Sequence, residues 1–278
     1  MHDHHADLFA RLQYATDAAT VLDYLGWKKA HWVGTSMGGL IALTLGATPG
    51  NEGRLLGLVL NDVGPHVPAD TLRHIVSYAG KEKVFITKEI AMEFLKNTYR
   101  EFKPMSDSCW ASMLQASVEP AAAWLAAQDG KDPAEADVRP GAESRAQAVV
   151  WTSTGPAEAQ ALAPGTDLSG ACRLRYDARI GEAFPHPDAI TQDVELWPAW
   201  ALLHAQDMLV LHGTQSGVLT LEAAQRMVLP AESPKIRGRR HMLDVQLPGC
   251  GHVPSLRDGF QTQAVVTFLQ LSDKDARS

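Results

Sequence analysis

Apolar residues at positions 8, 9, 12, 15, 19, 22 and 25 recur at helical spacing, which predicts a helix from Leu8 to Leu25. Gly26 follows as a C-terminal stop. The pattern then changes. His31, Trp32 and Val33 are bulky or β-branched and suit a short buried strand. Beyond a glycine-rich turn, Leu40, Ile41, Leu43, Thr44 and Leu45 continue as an apolar helix. Leu55 to Leu60 (LLGLVL) is an unbroken apolar run, as in a strand buried on both faces of a parallel sheet. Strand, helix and strand make a βαβ unit, the building block of doubly wound architectures.

From there the periodicity is helical. Asp70 is placed to cap a helix running through Gly80. Residues 86–102 carry apolar positions at 90, 91, 94, 95 and 99, and Ser106 is placed to cap a helix holding Trp110, Met113 and Leu114. No strand pattern interrupts this region, so it reads as a helical lid. Residues 119–170 are rich in Ala, Pro and Gly with scattered charges, which predicts a partly disordered insertion, with Trp124 and Trp151 as anchors. Order returns at Leu174 to Phe184, and a helix is predicted around Leu196 to Leu203. Met208 to Leu211 (MLVL) is a short buried strand, Thr220 caps a helix from Leu221 to Met227, and Met242 to Leu247 alternates as a last strand. A tight turn through Gly249, Cys250, Gly251 and His252 leads to a closing helix, Phe260 to Leu271. The expected organisation is core residues 1–65, lid 66–200 with its insertion at 119–170, and core again 201–278.

Composition narrows the function classes. The chain has 278 residues, 45% of them hydrophobic, which is ample for a core. A net charge of −7 disfavours nucleic acid and anionic membrane as partners. No apolar run approaches the ~20 residues of a membrane span, and the N-terminal residues lack the organisation of a secretion signal. Three widely spaced cysteines, Cys109, Cys172 and Cys250, read as reduced thiols of a cytoplasmic protein. His2, His4 and His5 beside Asp3 and Asp7 read as a polar terminus; no metal or organic cofactor is implied.

The chemistry sits between the first strand and the apolar helix. Gly34, Ser36 and Gly38 match G-x-S-x-G, the nucleophile-elbow pattern, in which the serine is held up on a strained turn. A serine hydroxyl is a poor nucleophile and needs a base.

Strand, G-x-S-x-G and helix, then a lid, then strand-loop-helix and strand-loop-His with a terminal helix, resemble the α/β-hydrolase superfamily. GTSMGG, LVLNDVGP, LWPAW, LVLHG and LPGCGHVPSL are similar to its lid-bearing bacterial esterases and lactonases. The resemblance implies an α/β fold with a mostly parallel sheet and helices on both faces. It also implies Ser36 as nucleophile, His252 as base and the Met37 N–H as an oxyanion donor. The implied activity is hydrolysis of a carboxylic ester or lactone. Thioesters and C–C bonds beside a carbonyl stay open, because the same triad serves both. So does a catalytically impaired remnant or binding module of the same fold.

Two features depart from the family's pattern. Relatives carry their acid in the loop matching Gly213 to Leu219, where this chain has Ser216-Gly217. Asp62, at the end of the second strand, could replace it or could simply form the turn near Gly64-Pro65; Glu222 is a weaker candidate, and Asp207 falls at the wrong end of its strand. The second departure is that the nucleophile is already residue 36, where the family places about four strands ahead of it. The expectation is a truncated sheet of about four strands with the elbow strand at an open edge. That edge invites self-association. The family's second oxyanion donor is then missing, and one such donor is worth ~10²–10³ in rate.

Overall fold

The computed structural model describes residues 4–100, 105–121, 149–152, 155–158, 167–203, 205–228, 241–257 and 259–277. The chain divides into two compact units, one of Met1–His74, Glu101–Pro104 and Pro185–Ser278, the other of Ile75–Arg100 and Met105–Phe184.

The first unit is built on a four-stranded, all-parallel sheet. Its strands are β1 (Ala30–Thr35), β2 (Leu55–Asn61), β10 (Ala205–Gly213) and β11 (His241–Leu247), lying side by side in the order β1-β2-β10-β11. These contain the four strands expected from the sequence. Helix α1 (His4–Tyr24) precedes β1, and α2 (Met37–Ala47) joins β1 to β2. Against one face of the sheet Val59, Leu209, Leu211 and Leu247 pack with Val265 and Phe268 of the last helix, α8 (Gly259–Arg277). Elsewhere in the unit are α6 (Trp197–Leu202) and α7 (Leu221–Val228). Thr220 caps α7 as expected, its hydroxyl accepting the Ala223 N–H at 3.1 Å.

The register fixes what meets at the carboxyl end of the sheet. Thr35 and Leu211 both stand level with Asn61, and Gly213 stands level with Leu247. The residues that follow these strands therefore converge on one edge, where ligands bind in open parallel sheets.

The second unit differs from the expected all-helical region. It holds helices α4 (Lys88–Thr98) and α5 (Asp107–Ser117), but also a five-stranded sheet of β4 (Lys83–Phe85), β5 (Val118–Pro120), β6 (Val149–Thr152), β7 (Gly155–Glu158) and β8 (Cys172–Leu174), in the order β5-β8-β4-β6-β7. Phe85, Ala91, Val118 and Cys172 form its core, and the Trp151 ring lies 4.9 Å from that of Phe94. Trp151 thus anchors as expected. Trp124 and most of the 119–170 insertion lie outside the described residues.

Helix α3 (Ala69–Tyr78) also starts differently. Its Ala69 N–H is accepted by Asp193, next to the short strand β9 (Val194–Glu195), which pairs with β3 (His66–Val67). Asp70 lies inside the first turn instead and pairs with Arg73. Distance along the chain hid this cap. None of the three cysteines is in a disulfide. Among the described residues, no helix is long and apolar enough to cross a membrane.

Candidate active site

Ser36 sits between β1 and α2 with φ 49° and ψ −118°, a left-handed conformation that costs an L-residue energy and turns its side chain out of the strand. The turn is held by the Ser36 N–H donating to Asn61 O at 3.1 Å, and by Trp32 Nε1 donating to Gly38 O at 3.0 Å. It is also tight. A Cβ on Gly34 would lie 2.6 Å from the Gly38 carbonyl oxygen, which is why glycine stands there. Met37 opens α2, and the first N–H groups of a helix have no partner within it.

Asp62 follows β2 in the same left-handed region, with φ 57°, and is fully buried. Its N–H donates to Leu211 O at 2.8 Å. Its carboxylate takes three hydrogen bonds. Oδ1 accepts from the Gly213 N–H at 2.9 Å, while Oδ2 accepts from Ser216 Oγ at 2.6 Å and meets His252 Nδ1 at 2.6 Å. These bonds offset the cost of burying a carboxylate.

His252 lies in the loop after β11. Asn61, itself buried, holds that loop by donating from Nδ2 to Pro254 O at 3.0 Å and to Thr35 Oγ1 at 3.1 Å. A Cβ on Gly213 would lie 2.6 Å from Gly251 O, so the two loops approach as closely as glycine permits. The second ring nitrogen of His252, Nε2, lies 3.0 Å from Ser36 Oγ. A carboxylate only accepts, so the proton of the neutral ring belongs on Nδ1 and the Nε2 lone pair faces the Ser36 hydroxyl. The arrangement places a hydroxyl, an imidazole and a buried carboxylate in one hydrogen-bonded line.

The sequence-predicted residues Ser36, His252 and Asp62 are therefore brought together, although they lie 190 or more positions apart or on separate strands. Asp62 stands at a bend, but its carboxylate accepts from Gly213 and Ser216 on another loop rather than from the backbone near Gly64-Pro65. Glu222 is exposed in the first turn of α7, and Asp207 is at the far end of β10 from Gly213. Ser216, Asn61 and the Gly213 N–H were not singled out from sequence. Their only signal was that Ser216 and Gly213 fall in the loop expected to hold the acid. Elsewhere, His66 is flanked by Glu195 Oε1 at 3.0 Å from Nδ1 and Asp193 Oδ2 at 3.8 Å from Nε2, so each ring nitrogen faces a different carboxylate across the β3–β9 pair. His2 and the side chains of His4 and His5 lie outside the described residues.

A family model described as alpha/beta hydrolase fold matches residues 3–81, which include Ser36 and Asp62. The chain is 27% identical over 259 residues to the 3-hydroxybutyrate-oligomer hydrolase of Cupriavidus necator, covering 92% of this chain and 70% of that protein. An alpha/beta hydrolase of Novosphingobium aromaticivorans superposes with a TM-score of 0.59 at 26% identity, over 94% of this chain and 72% of that one. The chain has the alpha/beta hydrolase fold. A provisionally named hydrolase of Rickettsia typhi shares the fold, with a TM-score of 0.65 at 22% identity over 94% of this chain and 69% of its own. That fold accounts for the parallel sheet, the turn after β1 and the loop after β11.

Proposed function

We propose that the chain is a serine hydrolase of carboxylic esters, working through an acyl-enzyme on Ser36. The observation that carries this is the hydrogen-bonded line from Ser36 Oγ through His252 to the buried Asp62 carboxylate. Ser36 Oγ attacks the ester carbonyl as its proton passes to His252 Nε2. The Met37 N–H, at the start of α2, stabilises the oxyanion that forms. Collapse breaks the C–O bond, and the leaving alkoxide takes the proton from His252. Water then attacks the acyl carbonyl, gives its proton to His252 and releases the carboxylic acid, returning the proton to Ser36. Asp62 holds the ring in one tautomer and balances the imidazolium charge.

The name of the Cupriavidus necator relative supports an ester of a hydroxy acid as substrate. A lactone presents the same carbonyl chemistry. The test is turnover of p-nitrophenyl acetate and of a linear 3-hydroxybutyrate dimer by the purified chain and by Ser36→Ala. Turnover that disappears in Ser36→Ala is expected; a folded protein that hydrolyses neither ester, or a Ser36→Ala variant as active as its parent, contradicts the proposal.

A further inference from the structure

We infer that Ser216 is a positioning residue for Asp62, fixing which carboxylate oxygen faces His252. The inference rests on the proposed roles of Ser36, His252 and Asp62.

A hydroxyl has one proton to give and two lone pairs to offer. Both lone pairs of Ser216 Oγ are used: it accepts the Val218 N–H at 3.0 Å and the Leu219 N–H at 3.3 Å. Its proton is left with one direction, toward Asp62 Oδ2 at 2.6 Å. Oδ2 is the oxygen that also meets His252 Nδ1. The Gly213 N–H holds the other oxygen. The carboxylate is thus pinned at both ends, and its rotation about the Cβ–Cγ bond is blocked by donors that lie outside the Ser36–His252 pair.

The loop that carries Ser216 is itself tied down. The Gln215 N–H donates to Cys250 O at 2.8 Å, two residues before His252. The Ser216 N–H donates to Gly213 O at 2.9 Å, and Thr71 Oγ1 donates to Gly217 O at 2.7 Å. The loop matched to the acid-bearing loop of relatives therefore keeps a part in the site without carrying the acid. It supplies the donor that aims an acid delivered from β2.

The experiment compares Ser216→Ala, Ser216→Cys, Ser216→Thr and Thr71→Val with the parent chain in p-nitrophenyl acetate turnover and thermal unfolding. One-dimensional proton NMR follows the low-field His252 Nδ1–H line. Losing a hydrogen bond to a charged group lowers kcat about 10- to 100-fold in Ser216→Ala and Ser216→Cys, with KM within about twofold. Ser216→Thr, which keeps the hydroxyl, recovers most of the rate. The low-field line moves or broadens in the Ala and Cys variants and returns with Thr. Thr71→Val loosens the same loop without touching Asp62, so it lowers the melting temperature and leaves kcat and the line in place. Unchanged kcat in both Ser216→Ala and Ser216→Cys, or an equal loss in Thr71→Val, overturns the inference. A parent chain that neither turns over ester nor shows the low-field line overturns the underlying functional reading instead.

Discussion

The Asp62 carboxylate is fully buried and is met by Gly213, Ser216 and His252 within 2.9 Å. An amide there keeps the shape but presents an NH₂ group to donors, and favours the wrong tautomer of the imidazole. Asp62→Asn is therefore expected to lower kcat by ~10⁴-fold, the scale of the same change in serine proteases, with KM little altered. An Asp62→Asn variant within tenfold of the parent would contradict the role. Gly217→Asp has room, since its Cβ would meet only Thr71 Oγ1 at an ordinary 3.5 Å, yet it is expected not to raise turnover, because the acid's place is taken. A strong rise would mean that Asp62 does not serve. Ser36 was legible from sequence because glycine spacing is a local signal, and His252 through the resemblance, which rests on the order of strands along the chain. Asp62 was half legible, as an acid at a strand end. Ser216 was not, because a hydroxyl's role depends on partners that only the folded loops bring near.

At the scale of elements, the central strands β2 and β10 were readable as apolar runs, because burial on both faces leaves little room for polar residues, while β11 showed as an alternation and β1 as a bulky, β-branched stretch before the glycine turn. The strands of the second unit were not. Lys83–Phe85, Val118–Pro120 and Cys172–Leu174 are three residues each and too short to show a period. Their partners are distant in sequence: Val84 pairs with Arg173 and Glu119 with Arg173 on the other side. The same sheet depends on a fully buried Phe85, whose ring is tilted against that of Phe94 with centroids 5.1 Å apart. Phe85→Ala is expected to cost about 3–5 kcal/mol in denaturant unfolding. A cost below about 1 kcal/mol would contradict that core.

Asp244 on β11 gives a pH-dependent prediction. Burial pushes its carboxyl above the ordinary range, against the opposing pull of His212 and a hydrogen bond with Gln246. A carboxyl raised in the folded state favours folding when protonated, so its contribution is fully present below the ordinary carboxylate range. It is lost as pH rises through the raised value. Asp244→Asn should therefore unfold at a higher temperature than the parent near pH 7, with the advantage vanishing near pH 3. An equal or lower melting temperature at pH 7 would contradict this.

At the scale of the molecule, β1 pairs with β2 on one side and with no strand on the other among the described residues. Val33 on that strand is 44% exposed, and Trp27 just before it is 55% exposed. An open apolar edge is a template for another strand. Sedimentation velocity is expected to show association that grows with concentration and weakens in Val33→Lys. A monomer at every concentration, with or without the substitution, would contradict that expectation.

The central claim is that Ser36 is a nucleophile activated by His252. The most direct test is intact-mass analysis after treatment with a fluorophosphonate, followed by peptide mapping, on the parent chain, Ser36→Ala and His252→Ala. The account predicts one adduct per chain on Ser36, none in Ser36→Ala and labelling slowed by orders of magnitude in His252→Ala. A folded parent chain that takes no label, or one labelled equally fast without His252, would contradict it.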